Sequence, residues 1–444
     1  MKSRKSFLHY STPIHRSLPG AMIVFMLASL VAHAGIADTG SPLVLQMSES
    51  PLWDRPYLLG DWGGERTLLA KKGITFQINN IGDLLGDVSG SQEHHLTYFG
   101  RFRGSADIDF NKLSGFDGEF FFSGIWQYGQ NLSAQYLHTN TLTSSIAGVN
   151  SVRIDQLWYQ QGFDDGKFKI KLGQVAAVNE FGATDFFDIL MNDELGYAPN
   201  AIFSTRQPFS PAGKPGVILT WDLRDLTPGL YLKSGVFATY KNPYNPDAYG
   251  VDYNDDFSHE AAASFELGYK EQKTSYDGVY KLGFNGNSSA IYSNPATNQE
   301  YRGDFNAYAT IEKTVFHPLG RDGKPAMDKG LDLLFQFVGE PGDRNSIQYE
   351  ATTGGRYTGL IPGRDKDKVG FGLIYSNNGS AFSQANEQTG GSGLGGETTL
   401  EIDYQVNPAP WLSIQGDAQY IIDPGGNLNR DNILVLGLRT IVQF

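Results

Sequence analysis

The chain has 444 residues, with 35 Lys and Arg against 48 Asp and Glu for a formal net charge of −13, and it contains 53 Gly, 28 Phe, 23 Tyr and no Cys. Without cysteine there is no disulfide framework, zinc–thiolate site or iron–sulfur centre, and the acidic balance with scattered Lys and Arg argues against a nucleic-acid partner, which needs a basic surface. Glycine stands above the usual ~7% and charged residues, at 19%, below the usual ~25%, so neither a helical solenoid nor a disordered acidic chain fits; the length suits two or three globular domains or one large barrel.

Residues 1–34 read as a signal peptide. Lys2, Arg4, Lys5 and Arg16 form a positive leader, Ala21 to Ala32 is an unbroken apolar run, and Ala32-His33-Ala34 offers the small-x-small pattern that signal peptidase accepts. Cleavage is expected after Ala34, with Ala37 as second choice. The alternative, a short membrane anchor, meets the difficulty that the run falls well short of the roughly 20 residues a spanning helix needs. Removing the segment takes away four positive charges and leaves an exported, acidic chain. Residues 35–72 form an N-terminal segment. In it, Pro42, Pro51 and Pro56 precede a short helix predicted over 61–72, with Leu68 and Leu69 on one side and Lys71 and Lys72 in the last turn.

From residue 73 to 444 the pattern is period two. Leu96, Tyr98, Gly100, Phe102, Gly104, Ala106, Ile108 and Phe110 share one face, and Thr97, Phe99, Arg101, Arg103, Ser105, Asp107 and Asp109 the other. Phe168, Ile170 and Leu172 alternate with Lys167, Lys169 and Lys171, as do Leu400, Ile402, Tyr404 and Val406 with Glu401, Asp403 and Gln405. No stretch of 18 apolar residues follows residue 34, which excludes a bundle of transmembrane helices. A soluble sandwich or propeller with one wet face could alternate in this way. A transmembrane antiparallel barrel fits better, because segments near 96–110, 119–128, 229–240, 303–315 and 411–422 have the length such strands need and often end on Tyr or Phe. The chain also closes on Leu434, Leu436, Leu438, Val442 and Phe444, as barrel closure requires.

About sixteen strands are counted from Ile74 to Phe444, which puts both barrel ends on the periplasmic side. Asp164-Asp165-Gly166 and Asn407-Pro408-Ala409-Pro410 then become inner turns, and segments around 241–260, 286–302 and 377–396 outer loops. The segment 175–215 is too long for a turn, and its Phe181, Phe186, Phe187, Ile189, Leu190 and Met191 are too apolar for an exposed loop. It is expected to fold back into the lumen and narrow it.

Gly60-Asp61-Trp62-Gly63-Gly64-Glu65-Arg66, followed by Leu68-Leu69 and Lys72-Gly73-Ile74, resembles the start of the carbohydrate-selective porin family (OprB family) of Gram-negative outer membranes. Further matches are Leu157-Trp158-Tyr159, Gly173-Gln174, Phe181-Gly182-Ala183-Thr184 leading to Met191-Asn192, Gly359 to Arg364 with Asp365 and Asp367, Pro410-Trp411-Leu412, Pro424-Gly425-Gly426, and Gly437-Leu438-Arg439 with Phe444. The resemblance runs from about residue 57 to 444; Asn179-Glu180 and Asp185-Phe186-Phe187 depart from the family pattern. It implies a sixteen-stranded barrel passing monosaccharides, glucose among them, by passive diffusion through a binding lumen.

A sugar ring presents hydroxyls and C–H faces, so a facilitating site pairs charged or amide groups with aromatic faces and binds weakly enough to release. Arg101, Arg103, Asp107 and Asp109 on one strand face, Arg153, Asp155 and Trp158 two strands on, Lys169 and Lys171 beyond, and Glu180 and Asp185 of the inward segment are the candidate channel-lining residues. These charges could instead pair among themselves as ordinary lumen charges, and Trp158 could face lipid as a girdle residue. A gating role for the N-terminal helix is weighed against a plain capped helix. The competing functions are a general or anion-leaning diffusion porin, which lumen Arg and Lys would permit, and an outer-membrane hydrolase, for which His138, His259 and His317 have no diagnostic neighbourhood. No cofactor is expected. The expected partners are sugars, outer-membrane lipid, lipopolysaccharide and further copies of the chain.

Other motifs are discounted. Gly391 to Gly396 satisfies GxGxxG without a βαβ setting, and His94-His95 is a vicinal pair without further spaced ligands. Asp252, Asp255 and Asp256 lack the glycine and terminal Glu of an EF-hand. No GxSxG elbow or P-loop occurs.

Overall fold

A computed structural model describes residues 50–91, 93–184, 189–195, 202–240, 249–251, 253, 260–271, 277–320 and 322–444. The expected signal peptide, Asp185, Asp252, Asp255, Asp256 and His259 lie outside the described residues.

The alternating segments form sixteen antiparallel strands: β1 (Ile74–Ser89), β2 (Leu96–Asp109), β3 (Gly118–Gly129), β4 (Ser151–Phe163), β5 (Phe168–Val175), β6 (Lys214–Asp222), β7 (Leu230–Ala238) and β8 (Ala261–Lys270). They continue as β9 (Gly278–Ser293), β10 (Glu300–Phe316), β11 (Gly330–Gly339), β12 (Ile347–Thr358), β13 (Lys368–Asn378), β14 (Gly396–Ala409), β15 (Leu412–Ile422) and β16 (Ile433–Gln443). Each strand pairs with its sequence neighbours, and β16 pairs back onto β1, with Asp83 opposite Arg439 and Leu85 opposite Gly437. Closure gives every strand a partner on both sides, the condition for strands in a bilayer.

The two faces are inverted relative to a soluble sheet. On β14 the outward Leu400 and Ile402 are exposed, while the inward Glu397, Thr399, Glu401, Asp403 and Gln405 are buried. The same holds on β10, where Phe305 and Ile311 point out and Asn306, Tyr308, Thr310 and Glu312 are buried inside. Charged groups tolerate burial only when bonded or paired, so something must fill the inside. Two segments do.

The expected one, after β5, runs inward through Phe181, Ile189, Leu190, Met191 and Leu195, all buried. Gly370 and Gly372 of β13 make room for it. A methyl at Gly372 would come within 2.5 Å of Leu195, and one at Gly370 within 3.0 Å of Ile189 and Leu190. The second, between β3 and β4, was not foreseen in the sequence; Leu132, Leu137, Thr141, Thr143, Ser144 and Ile146 are buried. The two inward segments meet where Asp193 N–H donates to the Leu142 carbonyl at 2.9 Å.

The N-terminal helix is present as a 3-10 turn, Trp62–Gly64, running into α1 (Glu65–Lys71). Asp61 Oδ1 accepts from Thr67 N–H at 3.0 Å and Oγ1 at 2.9 Å. Arg66 donates to the carbonyls of Phe444 at 2.8 Å and Phe76 at 2.9 Å, and its guanidinium lies 3.3 Å from the Tyr57 ring centroid. One side chain thus joins α1 to the first and last strands.

One loop expectation and one turn expectation are corrected. Residues 286–302 are mostly strand, because β9 continues to Ser293 and β10 begins at Glu300. Polar residues along these two strands mark the lumen face: Asn285 donates to Asn306 Oδ1 at 2.9 Å, and Asn287 to the Thr205 carbonyl at 3.2 Å. The loop expected around 377–396 is present between Asn378 and Gly396, with a short helix (Ser380–Gln388) at its centre. At the opposite end, Asp164-Asp165-Gly166 is the turn between β4 and β5, whereas β14 extends through Asn407 and Pro408 to Ala409 and the turn is Pro410-Trp411.

Candidate functional site

The inward segments pack against the wall from β7 round through β16 to β1, leaving the lumen face of β2 to β5, half-buried along β2, as the lining of the channel. The predicted residues sort along this face. At one level Arg101 and Arg103 of β2 point inward, and Arg103 Nη2 lies 3.4 Å from Asp155 Oδ2, which also accepts from Ser123 Oγ at 3.1 Å. Asp155 and Arg153 are buried in β4. Nearer the end where β2 finishes, Asp107, Asp109 and Lys169 line one recess with Glu119 and Gln160. Asp109 there caps α2 (Phe110–Ser114), accepting from Asn111 N–H at 3.0 Å and Lys112 N–H at 3.3 Å.

Between these levels lies an aromatic platform. Trp158 is buried and faces the lumen, which corrects the lipid-girdle alternative: its ring stacks on Phe121 at 5.1 Å, and the Lys171 ammonium lies 3.8 Å from its centroid. Lys171 donates to Glu180 Oε1 at 2.5 Å and Lys233 of β7 to Glu180 Oε2 at 3.1 Å. Burial works against the charge on Glu180, but the ammoniums of Lys233 and Lys171 outweigh it and hold its carboxyl below the ordinary range. Two cations sharing one carboxylate beside an aromatic pair present donors, acceptors and a C–H-binding face together.

The constriction segment is gripped by buried wall side chains. Glu266 of β8 accepts from Gly182 N–H at 2.8 Å, from Tyr308 at 2.7 Å and from Tyr231 at 2.8 Å. Gln336 donates to the Gly182 carbonyl at 3.1 Å, and Lys281 donates to the Ala183 carbonyl. On the opposite wall Glu401 accepts from Met191 N–H and from Asn192 N–H, the latter at 3.2 Å, while Glu397 accepts from Asn140 N–H at 2.9 Å and Thr141 N–H at 3.2 Å. Sequence reasoning missed Phe121 and Lys233. Phe121 carried a signal, since it is an aromatic on the polar face of 119–128 between Glu119 and Ser123.

A closed sixteen-stranded wall, apolar outside and polar within, narrowed by chain folded in from one mouth, defines a porin. The model of the family described as "Carbohydrate-selective porin, OprB family" matches residues 93–444. The chain belongs to that family and is a carbohydrate-selective porin of the Gram-negative outer membrane. It is 24% identical to Porin B of Pseudomonas aeruginosa over 97% of this chain and 99% of that one. Its fold is similar to the high-pH structure of Pseudomonas putida OprB, with a TM-score of 0.79, 21% identity, and coverage of 88% of this chain and 99% of that one. Salmonella typhi OmpF in complex with daunomycin gives a TM-score of 0.51 at 11% identity, covering 84% and 98%.

Proposed function

We propose that the channel passes neutral monosaccharides, glucose among them, by passive diffusion along the β2 to β5 face. The observation that carries this reading is the Phe121–Trp158 stack flanked by Lys171, Glu180 and Lys233. A pyranose ring laid on the half-buried Phe121 side of that platform keeps its C–H face on aromatic carbon and exchanges hydroxyl hydrogen bonds with the charged groups beside it. Arg101, Arg103, Arg153 and Asp155 lie on the approach from one side, with Asp107, Asp109 and Lys169 on the other. The ion pairs stay intact and offer hydroxyls only their remaining donors and acceptors, so binding stays weak enough for release.

Single-channel current through the purified protein, titrated with glucose, tests this. Saturable block by glucose at millimolar concentration, with weaker block by a disaccharide, is expected. Block by small anions and none by glucose would favour an anion-leaning diffusion porin, to which Arg101, Arg103, Lys169, Lys171 and Lys233 would also lend themselves. The reading assigns the chain transport and no catalysis, and lipid hydrolysis by purified protein would overturn that part. In the same reading residues 1–34 direct export, tested by sequencing the mature N-terminus. The outward face takes membrane lipid and the outer rim lipopolysaccharide, and cross-linking of intact outer membranes tests for a homo-oligomer.

A further inference from the structure

Behind the constriction segment, away from the sugar face, Glu401 and Asp403 of β14 and Asp417 of β15 each offer an oxygen within 4.8 Å of the others. All three are buried, Asp403 to 1% exposure. Arg439 stands close, but Asp83 already takes its guanidinium in two contacts of 2.7 Å. Three carboxyls therefore converge on one closed space that the Arg439 guanidinium, already paired to Asp83, serves only from a distance, and a low-dielectric setting does not tolerate all three ionised without a further cation.

The neutral donors around them do not complete the site. Glu401 receives Met191 and Asn192 N–H, and Asp417 receives Gln419 Nε2 at 3.3 Å. Asp403 Oδ1 receives Gln415 Nε2 at 2.6 Å. Asp403 Oδ2 is buried and receives no N–H or hydroxyl donor, and the Asp403 side chain stands within hydrogen-bond reach of the Glu401 carboxyl. Two buried carboxyls this close, with a third beside them, need either a shared proton or a positive ligand between them.

We infer that Glu401, Asp403 and Asp417 bind one divalent cation of the calcium type. Oxygens sharing a calcium ion at its usual 2.3–2.6 Å stand at most about 5 Å apart, which the cluster satisfies. An all-oxygen set disfavours zinc, and a closed site disfavours magnesium, which keeps several waters. Because Glu401 also holds the backbone of Met191 and Asn192, the ion would fix the constriction segment to the wall from behind.

The test uses the full-length protein in detergent with calcium alone as the probe. Wild type, Asp403→Asn and Asp417→Asn are stripped with a chelator, incubated with calcium, desalted and assayed for bound metal and for melting temperature. The expected result is one more calcium per chain in wild type than in either variant, with calcium raising the wild-type melting temperature and leaving the variants' unchanged. Calcium held by residual lipopolysaccharide is common to all three and cancels in the difference. Equal metal content in wild type and variants, or a wild-type melting temperature indifferent to calcium, would overturn the inference and leave the carboxylates sharing protons instead. If one variant does not fold, the other carries the comparison. If neither folds, the wild-type melting response to calcium against magnesium decides it.

Discussion

Lys171 and Trp158 form a cation–π pair, with the ammonium 3.8 Å from the ring centroid, and that ammonium also belongs to the Glu180 ion pair. The ring is thereby clamped between Lys171 and Phe121 and backs the half-buried Phe121 face. Truncating Trp158 to Ala removes the platform and frees Lys171 to move, whereas Phe keeps an aromatic face. Trp158→Ala is expected to raise the half-blocking glucose concentration roughly tenfold, about 1.4 kcal/mol, with Trp158→Phe recovering most of it, as read from sugar-induced block of single-channel current.

Arg101 and Arg103 face the lumen on one strand, and Arg103 is within 3.4 Å of Asp155. Both are half-buried, so each contributes bulk as well as charge at this level. Replacing both with Ala should widen the passage, raise conductance and weaken glucose block. Unchanged block with raised conductance would assign these residues to pore size alone.

The wall was legible from residue chemistry because a barrel in lipid writes period two directly: Leu400, Ile402 and Tyr404 outside, Glu401 and Asp403 inside. The inward segment after β5 was legible from its excess of apolar residues, which no exposed loop would carry. The segment between β3 and β4 was not. Its anchors are backbone groups taken by single wall side chains far away in sequence, such as Glu397 on Asn140 and Thr141 and Gln419 on the Thr143 carbonyl. Such bonds leave no periodicity and no composition signal. The side on which Trp158 lies was open for a related reason, since a bulge shifts the β3–β4 register between Ser123 and Gly124 and breaks simple alternation along β4.

Glu266 collects Gly182 N–H, Tyr308 and Tyr231 in one buried carboxylate. Removing it leaves those donors unsatisfied, a cost of about 1–3 kcal/mol for the most buried of them. Glu266→Ala is expected to lower the melting temperature in detergent and make open-channel current noisier, because Gly182 adjoins Phe181 and Glu180 at the constriction. Glu266→Gln, which retains an acceptor, should do less of both.

At the seam, Arg439 of β16 donates to both oxygens of Asp83 of β1, Asp83 also accepts from Ser144 at 2.7 Å, and Arg439 donates to Ser145 at 3.1 Å. Leaving one charge of a buried pair alone costs about 3–5 kcal/mol, while replacing both with apolar groups often costs little. Arg439→Met or Asp83→Leu alone should therefore convert the heat-resistant barrel to the unfolded form at markedly lower temperature in detergent gels, and the double variant should regain most of the loss.

Two carboxyls on the constriction segment give opposite pH responses. Glu180 is held below the ordinary range by Lys233 and Lys171, against its burial, so the folded state favours its charged form. Its contribution to stability is complete above about pH 4.5 and is lost as pH falls through its depressed value. Glu194 is pushed well above that range, first by burial and then by Glu350, so the folded state favours its protonated form. Its contribution is complete below about pH 4.5 and is lost as pH rises toward its raised value. Melting temperatures measured across roughly pH 3 to 9 should show Glu180→Gln flattening the acid limb and Glu194→Gln flattening the alkaline limb. Glucose block should follow the acid limb alone, because only Glu180 adjoins the Trp158 platform. A variant curve parallel to wild type on its own limb would remove that residue from the pH response.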